Sequence, residues 1–223
     1  MEIKVVERVL KANDMVAGEL REMFTEHKVK VINVMGTPGA GKTSLLEHTI
    51  NQLGQDWRIA VIEGDIATSL DAERLAVLGI PIVQINTGGA CHLDASMIKS
   101  AVEQLDLEAI DLLLIENVGN LVCPAEFDLG EDKKVLISSV AEGDDKVQKY
   151  PVMFRIADAV VLNKIDLFSA VEFSRKNFSS YLSDLNPNAP LIEVSCTTGE
   201  NIQEWAQWVT DKVLAQVATF RGR

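Results

Sequence analysis

Val31-Ile32-Asn33-Val34-Met35-Gly36-Thr37-Pro38-Gly39-Ala40-Gly41-Lys42-Thr43-Ser44 is the stretch that decides the fold. An apolar run leads into a glycine loop and then into helix-forming residues, which is the order of a P-loop. Backbone N–H groups of such a loop surround phosphate oxygens, the lysine places a charge at the outer phosphates, and the threonine hydroxyl binds Mg²⁺. The stretch predicts a nucleotide triphosphate site built from Gly36, Gly39, Ala40, Gly41, Lys42, Thr43 and Ser44.

A second segment indicates the base. An apolar run from residue 159 ends in Asn163-Lys164-Ile165-Asp166. A carboxylate at Asp166 accepts hydrogen bonds from the ring N–H and the exocyclic amine of guanine, whereas adenine presents an acceptor there. We expect Asn163 to brace the base and nearby loops, and the Lys164 stem to lie along the purine face. The pattern favours GTP over ATP, although alone it also fits a polar turn before a helix.

A third segment completes the predicted guanine pocket. Ser195-Cys196-Thr197-Thr198-Gly199-Glu200 follows a strand-like run and resembles the Ser-Ala-Lys loop of GTPases. In that loop the backbone N–H after the serine contacts the guanine carbonyl, and the small Cys196 side chain is tolerable at the alanine position. We therefore assign Ser195 and Cys196 to nucleotide binding.

Composition excludes several classes of protein. The net charge of −12 over 223 residues opposes binding to a nucleic-acid backbone. No apolar run reaches the length of a membrane span, and the first residues lack a signal-peptide pattern, so we expect no membrane partner and a cytoplasmic location. Three cysteines in a chain of this size do not indicate a disulfide framework. The sequence predicts reduced thiols and partners that are proteins or metal ions.

Hydrophobic periodicity predicts an α/β fold. Residues 1–28 form an amphipathic N-terminal helical segment, a helix or helix pair with a break near Asn13-Asp14, and 29–223 form a P-loop GTPase domain with inserted metal-ligand loops. Strands alternate with helices in that domain, which predicts a mostly parallel sheet with helices on both faces. We expect strands near 30–35, 58–63, 81–85, 111–116, 134–139, 158–163 and 190–195, and helices near 42–54, 68–79, 92–104, 169–184 and 201–217, with short helical turns between 145 and 157.

Acidic residues at two strand ends are candidate Mg²⁺ ligands. Four apolar residues precede Glu116, so we assign it as the Walker-B-type acid. Asp65 is the next candidate Mg²⁺ ligand, and Thr43 of the P-loop completes the predicted ligand set. Gly119 is the predicted backbone donor to the γ-phosphate. Asp71 has two interpretations: it orients water or metal, or it only stabilises a helix N-terminus. We expect the segment 65–71 to move with the nucleotide state. These residues suffice for a slow intrinsic GTPase; the catalytic candidates are Lys42, Thr43, Asp65, Asp71, Glu116 and Gly119.

The sequence offers no obvious arginine finger. Lys146 and Lys149 are candidates to contact a phosphate across a dimer, and the alternative is that they are solvated surface lysines.

A thiol and an imidazole are adjacent in Gly88-Gly89-Ala90-Cys91-His92, and Cys123-Pro124 follows the Glu116 strand. Cys91, His92 and Cys123 are soft ligands suited to Ni²⁺ or Zn²⁺. Neighbouring residues cannot share one helix face, so a site using both Cys91 and His92 needs a loop or a first helical turn. Two chains related by a twofold axis would complete a shared, labile site that responds to the nucleotide.

Taken together, these stretches closely resemble the HypB family, hydrogenase nickel-incorporation GTPases of the SIMIBI class of P-loop proteins. The most specific matches are Asn86-Thr87-Gly88-Gly89-Ala90-Cys91-His92-Leu93-Asp94 and Glu116-Asn117-Val118-Gly119-Asn120-Leu121-Val122-Cys123-Pro124. The resemblance implies GTP hydrolysis linked to homodimerisation, nickel delivery to the large subunit of a [NiFe]-hydrogenase, and a partner maturation protein that shares the nickel task. It also implies Cys91, His92 and Cys123 as the Ni²⁺/Zn²⁺ ligands.

Two features depart from the family pattern. Residues 1–30 contain no cysteine and only His27, so we expect no tight or bulk nickel storage there. Thr37 stands where several SIMIBI relatives carry an early P-loop lysine.

Three alternative functions remain. A urease-type nickel-delivery GTPase would place cysteine and histidine around one proline, whereas Ala125 follows Cys123-Pro124 here. A regulatory GTP switch would use Cys91 and Cys123 only for packing. A metal-binding module with a relic nucleotide pocket would not hydrolyse GTP.

Overall fold

The computed structural model describes residues 5–66 and 70–221 of the chain, and the side chains of 10–66 and 70–219. Residues 67–69 fall in the predicted 65–71 segment and at the start of the predicted helix 68–79; they lie outside the described residues. None of the helices described is both long enough and apolar enough to cross a lipid bilayer.

Seven strands form one sheet in the order β3-β2-β4-β1-β5-β6-β7, and every pairing is parallel. The strands are β1 (Lys30–Gly36), β2 (Ile59–Asp65), β3 (Ile82–Asn86), β4 (Leu112–Glu116), β5 (Lys133–Ser139), β6 (Ala159–Asn163) and β7 (Leu191–Glu193). The helices of the described part are α1 (Val5–Glu26), α2 (Lys42–Leu53), α3 (Leu70–Ala76), α4 (Ala95–Val102), α5 (Lys146–Lys149), α6 (Pro151–Ile156), α7 (Arg175–Leu185), α8 (Ile202–Val209) and α9 (Ala215–Arg221). The predicted fold class is confirmed.

Both faces of the sheet are covered, which explains why its central strands are almost entirely apolar. Alternate residues of β1 point to opposite faces: Ile32 and Val34 pack in the cluster containing α2 and α8, whereas Val31 packs in the cluster containing α1 and α4. A third cluster lies under α6 and α7. The sheet therefore separates helices on two sides and leaves its carboxyl edge open for loops.

The N-terminal helix packs as part of this core. Ala17, Leu20 and Phe24 recur at helical spacing and are buried with α4 residues. The expected break near Asn13-Asp14 is absent from the described helix. The reason is that the Asn13 side-chain amide is buried and hydrogen-bonds residues outside the helix: it donates to Asp128 O (2.8 Å) and accepts from Ala95 N (2.9 Å).

Helix boundaries differ from the predictions where a side chain caps the helix. The helix predicted from residue 92 begins at Ala95, because Asp94 accepts a hydrogen bond from Met97 N (2.8 Å). The helix predicted from 169 begins at Arg175, where Ser174 has the same role. The segment predicted as one helix over 201–217 contains a π-helical turn, Thr210–Leu214, between α8 and α9.

Aspartates precede three strands at the amino edge of the sheet, and we call Asp111, Asp132 and Asp158 the aspartate rim. Each carboxylate accepts a backbone N–H from the neighbouring strand's start, at Arg58 (2.9 Å), Val31 (2.9 Å) and Lys134 (2.8 Å) respectively. A one-residue slip of a strand would break these bonds and invert its faces. The aspartate rim therefore fixes register, and it explains why β4 and β6 begin one residue later than predicted.

Candidate functional site

The carboxyl ends of the strands surround a cavity of about 440 Å³. Parallel α/β sheets bind ligands at this edge. Most of the predicted nucleotide residues line this cavity, together with acids from β2 and β4, whereas Gly36, Ala40, Asp166 and Ser195 are not among its lining residues. The lining includes Gly39, Gly41, Lys42, Thr43, Ser44, Glu63, Asp65, Asp71, Arg74, Glu116, Gly119, Asn163, Lys164 and Cys196.

The P-loop geometry requires glycine at two positions. Gly39 (φ +76°) and Gly41 (φ +104°) have left-handed backbone conformations, and a Cβ on Gly41 would lie 2.2 Å from Asn163 Nδ2. Left-handed glycines of this kind allow loop N–H groups to surround a phosphate, as a phosphate cradle requires. Lys42 and Thr43 start α2 and are nearly buried beside the cavity.

Asn163 joins the base-reading segment to the phosphate loop. Its Nδ2 donates to Ala40 O (2.9 Å), and its Oδ1 accepts from Cys196 N (3.1 Å). Lys164 Nζ donates to Gly39 O (2.7 Å). The three predicted nucleotide segments are therefore hydrogen-bonded to one another.

Asp166 is held by the third segment. The buried Ser195 hydroxyl donates to Asp166 Oδ1 (2.5 Å), which orients the exposed carboxylate. Cys196 lines the cavity, and burial followed by the charge of Glu47 raises the pKa of its thiol to about 12. His48 on α2 also holds this loop, since its Nε2 lies 2.8 Å from Cys196 O. Sequence reasoning missed His48, because nothing local links it to residue 196.

Two buried glutamates face each other across β2 and β4. Glu63 and Glu116 are register partners, and one oxygen of each, Oε2, is buried and has no hydrogen-bond partner among the described residues. Burial and then the charge of Glu116 raise the pKa of Glu63 to about 8. Burial likewise raises the pKa of Glu116 to about 7, against the opposing effects of Lys42 and a hydrogen bond from Thr43 Oγ1 (2.9 Å).

This acidic pair fits a Mg²⁺ site. Orphaned buried carboxylate oxygens beside the P-loop hydroxyl are the hard donors that Mg²⁺ prefers. Glu116 and Thr43 are placed together as the sequence predicted, whereas Glu63 was not assigned. Its signal was present, because Glu63 directly follows the apolar run 59–62 and lies two residues before the candidate Asp65. Asp65 Oδ1 accepts from Ile66 N (2.6 Å) and lies nearer the surface.

Gly119 lies against the P-loop, since a Cβ there would be 2.7 Å from Pro38 Cγ.

Asp71 lines the cavity from α3, and so does Arg74, which the sequence analysis did not single out. Arg74 bonds Glu47 (2.6 Å) and lies 3.3 Å from Ser44 Oγ. An arginine therefore stands at the phosphate end of the cavity within the same chain.

Lys146 and Lys149 are not brought to this cavity in their own chain. Lys146 pairs with Glu142 (3.2 Å), which also accepts from the Thr37 hydroxyl, and Lys149 pairs with Asp145 (2.5 Å). Their contact with a phosphate across a dimer stays a prediction.

Cys91, His92 and Cys123 come together beside the nucleotide cavity. One ligand atom from each lies within 4.8 Å of the others, and the two thiol sulfurs are 2.9 Å apart. Left-handed Gly88 and Gly89 turn the chain so that Cys91 and His92 lie in a loop before α4. The His92 ring stacks on Phe127 at 3.9 Å between centroids. The donor set fits a soft or borderline cation.

The nucleotide-binding domain model described as CobW/HypB/UreG matches residues 30–193. The chain belongs to the CobW/HypB/UreG family. Among its CobW/HypB/UreG relatives, the hydrogenase maturation factor HypB of Azotobacter vinelandii is 48% identical over 93% of this chain and 68% of its own length. The hydrogenase/urease maturation factor HypB of Helicobacter pylori is 40% identical over 95% of this chain and 88% of its own length.

A solved structure of HypB from Helicobacter pylori in complex with nickel superimposes with a TM-score of 0.86. It is 40% identical in sequence, and the match covers 90% of this chain and 94% of the other. The family resemblance inferred from the sequence motifs is confirmed, as is the nucleotide-binding class of the fold.

Proposed function

We propose that this protein is a metal-binding GTPase that assists nickel insertion into [NiFe]-hydrogenase. GTP binding and hydrolysis are coupled in it to homodimerisation and metal transfer. One observation carries the proposal: the nucleotide cavity and the Cys91, His92 and Cys123 cluster lie at the same edge of the sheet, joined by the short segment from Glu116 to Cys123. The names of the relatives support the hydrogenase assignment.

Hydrolysis in this site depends on positioning and charge. Lys42 and the Gly119 N–H hold the γ-phosphate, while Asp166 reads the guanine edge. Water attacks the γ-phosphorus in line as the bond to the β–γ bridging oxygen breaks, which gives GDP and phosphate. Asp71 orients that water. Thr43, Glu116 and Glu63, with Asp65 nearby, would hold Mg²⁺, and the bound ion would neutralise phosphate charge. A slow intrinsic rate is expected.

The thiol cluster holds the cargo ion. Two thiolates and one imidazole give three donors, which leaves coordination positions open to a second copy of the chain. Ni²⁺ and Zn²⁺ both suit this set. The partners we propose are a second copy, a nickel-handling maturation protein and the hydrogenase large subunit, in the cytoplasm.

Two measurements test the proposal. Phosphate release from GTP should fall at least about 100-fold in Lys42→Ala and stay unchanged in the exposed control Lys176→Ala. Stoichiometric Ni²⁺ binding should be lost in Cys91→Ser/Cys123→Ser and retained in Cys196→Ser. If Lys42→Ala released phosphate as fast as wild type, the release would not come from the P-loop, and the protein would be a metal-binding module with an inactive nucleotide pocket. If Ni²⁺ binding were unchanged in the double variant, the protein would be a GTP switch without this metal site.

Urease maturation is the second candidate, because the Helicobacter pylori relative is named for both enzymes. Complementation of a deletion strain at limiting nickel separates the two: recovery of hydrogenase activity is expected. Recovery of urease activity alone would replace the proposed acceptor.

A further inference from the structure

The loop over residues 117–120 touches the nucleotide cavity and the metal cluster at once. Gly119, at its centre, packs against Pro38 of the P-loop. Asn120 N donates to Gly36 O (3.1 Å), which bonds the loop to the residue where β1 enters the P-loop. A rearrangement at Gly119 therefore changes the positions of the residues on either side of it.

An asparagine on each side of that glycine holds the metal loop. Asn117 Oδ1 accepts from Leu93 N (3.2 Å), the residue after His92. Asn120 Nδ2 donates to Cys91 O (3.3 Å). The two bonds attach the 117–120 loop to both ends of the Cys91–Leu93 stretch that carries two of the metal ligands.

Each amide is fixed in orientation by further contacts. Asn117 is buried, and its Nδ2 donates to Asn33 Oδ1 (3.2 Å) on β1. Its Oδ1, which accepts from Leu93 N, also accepts from Val118 N (3.0 Å). Asn33 is in turn held by Glu131 (3.1 Å). Asn120 Oδ1 accepts from Val122 N (2.8 Å), the residue before Cys123.

We propose that Asn117 and Asn120 are the positioning residues that transmit nucleotide state to the metal cluster, an inference that rests on the proposed function. When Gly119 shifts to meet or leave the γ-phosphate, Asn120 carries Cys91 and Cys123 with it, and Asn117 carries the backbone after His92. The separation of the thiols and the imidazole then differs between nucleotide states. Coupling of this kind is reciprocal, so the ion must change nucleotide affinity by the same factor.

The test measures Ni²⁺ affinity, by competition with a chromophoric chelator, in the nucleotide-free, GDP-bound and non-hydrolysable-analogue-bound protein. We expect the wild-type affinity to differ at least about 5-fold between states, and that of Asn120→Ala to differ by less than about 2-fold. Asn120→Asp keeps the acceptor for Val122 N and loses the donor to Cys91 O, so it should behave as Asn120→Ala. The exposed Asn188→Ala, at the other edge of the sheet, should match wild type.

If Asn120 had only a structural role, its substitution would not make the Ni²⁺ affinities of the three nucleotide states equal. Each variant is therefore checked for its thermal midpoint and for its nucleotide-free Ni²⁺ affinity. The reciprocal readout is the affinity for GDP with and without Ni²⁺. If wild type responds to nucleotide and both Asn120 variants respond equally, this inference is overturned and the proposed function stands. If the Ni²⁺ affinity of wild type is the same in all three nucleotide states, this inference and the proposed coupling of nucleotide state to metal transfer are both overturned.

Discussion

Glu63 and Glu116 lie opposite each other on β2 and β4, and each keeps one buried carboxylate oxygen without a partner among the described residues. Two like charges in a buried setting disfavour ionisation. The pair therefore fits a divalent cation and is a source of pH dependence in the protein without one.

Stability of the nucleotide-free protein should fall with rising pH because of this pair. Glu63 has a pKa of about 8 in the folded protein and an ordinary value of 4.5, so between these values the folded state binds more protons than the unfolded one. The free energy of unfolding should therefore decrease between about pH 5 and 8. Glu63→Gln should reduce that decrease by about 1 kcal/mol, after allowance for solvent screening in the open cavity.

Urea unfolding at several pH values, without nucleotide or Mg²⁺, measures this effect. The exposed Glu172→Gln serves as the control and should keep the wild-type slope. A Glu63→Gln protein with an unaltered pH profile would contradict the assignment.

Base selectivity should change with Asp166. Asp166→Asn replaces an acceptor by an amide donor at the guanine edge, and two hydrogen bonds to a charged group are lost, so GTP affinity should drop at least about 100-fold. Xanthosine triphosphate, with a carbonyl oxygen where guanine has an amine, should bind better than GTP to the variant. Fluorescent-nucleotide competition gives both affinities, with the exposed Asp184→Asn as control; a variant that still prefers GTP would remove Asp166 from base reading.

The P-loop glycine at position 41 should not tolerate a side chain. Alanine there meets Asn163 and must adopt φ +104°, a strain of about 1–3 kcal/mol that should weaken nucleotide binding about 10-fold or more. Gly18→Ala is the matched control: its Cβ has no heavy atom within 4 Å, and in a helix it should stabilise by about 0.5–1 kcal/mol. Calorimetric titration with GDP checks both; tight binding by Gly41→Ala would refute the geometry.

A buried hydrogen bond should hold α8 to α2. Trp205 Nε1 donates to Thr49 Oγ1 (2.8 Å), and both residues are about 1% exposed. Thr49→Val keeps the shape but leaves the indole N–H unpaired, at a cost of about 1–3 kcal/mol in the free energy of unfolding. Thr219→Val, on an exposed face of α9, should cost less. Equal stabilities in urea titrations would mean that the indole finds another acceptor.

Cysteine reactivity should distinguish Cys196 from an unhindered thiol. The thiolate is the reactive form, and a pKa of about 12 leaves little of it at pH 8. Iodoacetamide should therefore modify Cys196 in the native protein at least about 100-fold more slowly than in the denatured chain. Peptide mapping by mass spectrometry follows each cysteine separately, and comparable native and denatured rates would show that the thiol is open to solvent.

The sequence predicted the elements that depend on local patterns. A strand, glycine loop and helix occur consecutively at 31–46, so no distant contact was needed to recognise them. The thiol and imidazole at Cys91 and His92 were likewise visible as residue types in a loop, and the fold then brought Cys123 to them.

Contacts between distant segments could not be predicted. Glu63 is opposed to Glu116 only through strand register, and Arg74 reaches the cavity only through the packing of α3 on α2. The roles of Asn117 and Asn120 depend on a loop arriving from another part of the chain. The continuity of α1 was missed for the same reason, because the Asn13 amide is satisfied by residues far away in sequence.

The aspartate rim gives the molecule one end that stays still. Its carboxylates tie β2 to β4, β1 to β5 and β5 to β6 at the edge farthest from the ligands. Loops at the opposite edge can then change conformation while the strands keep their register. Reporter groups or fusion partners attached near the aspartate rim would leave the ligand-binding edge undisturbed.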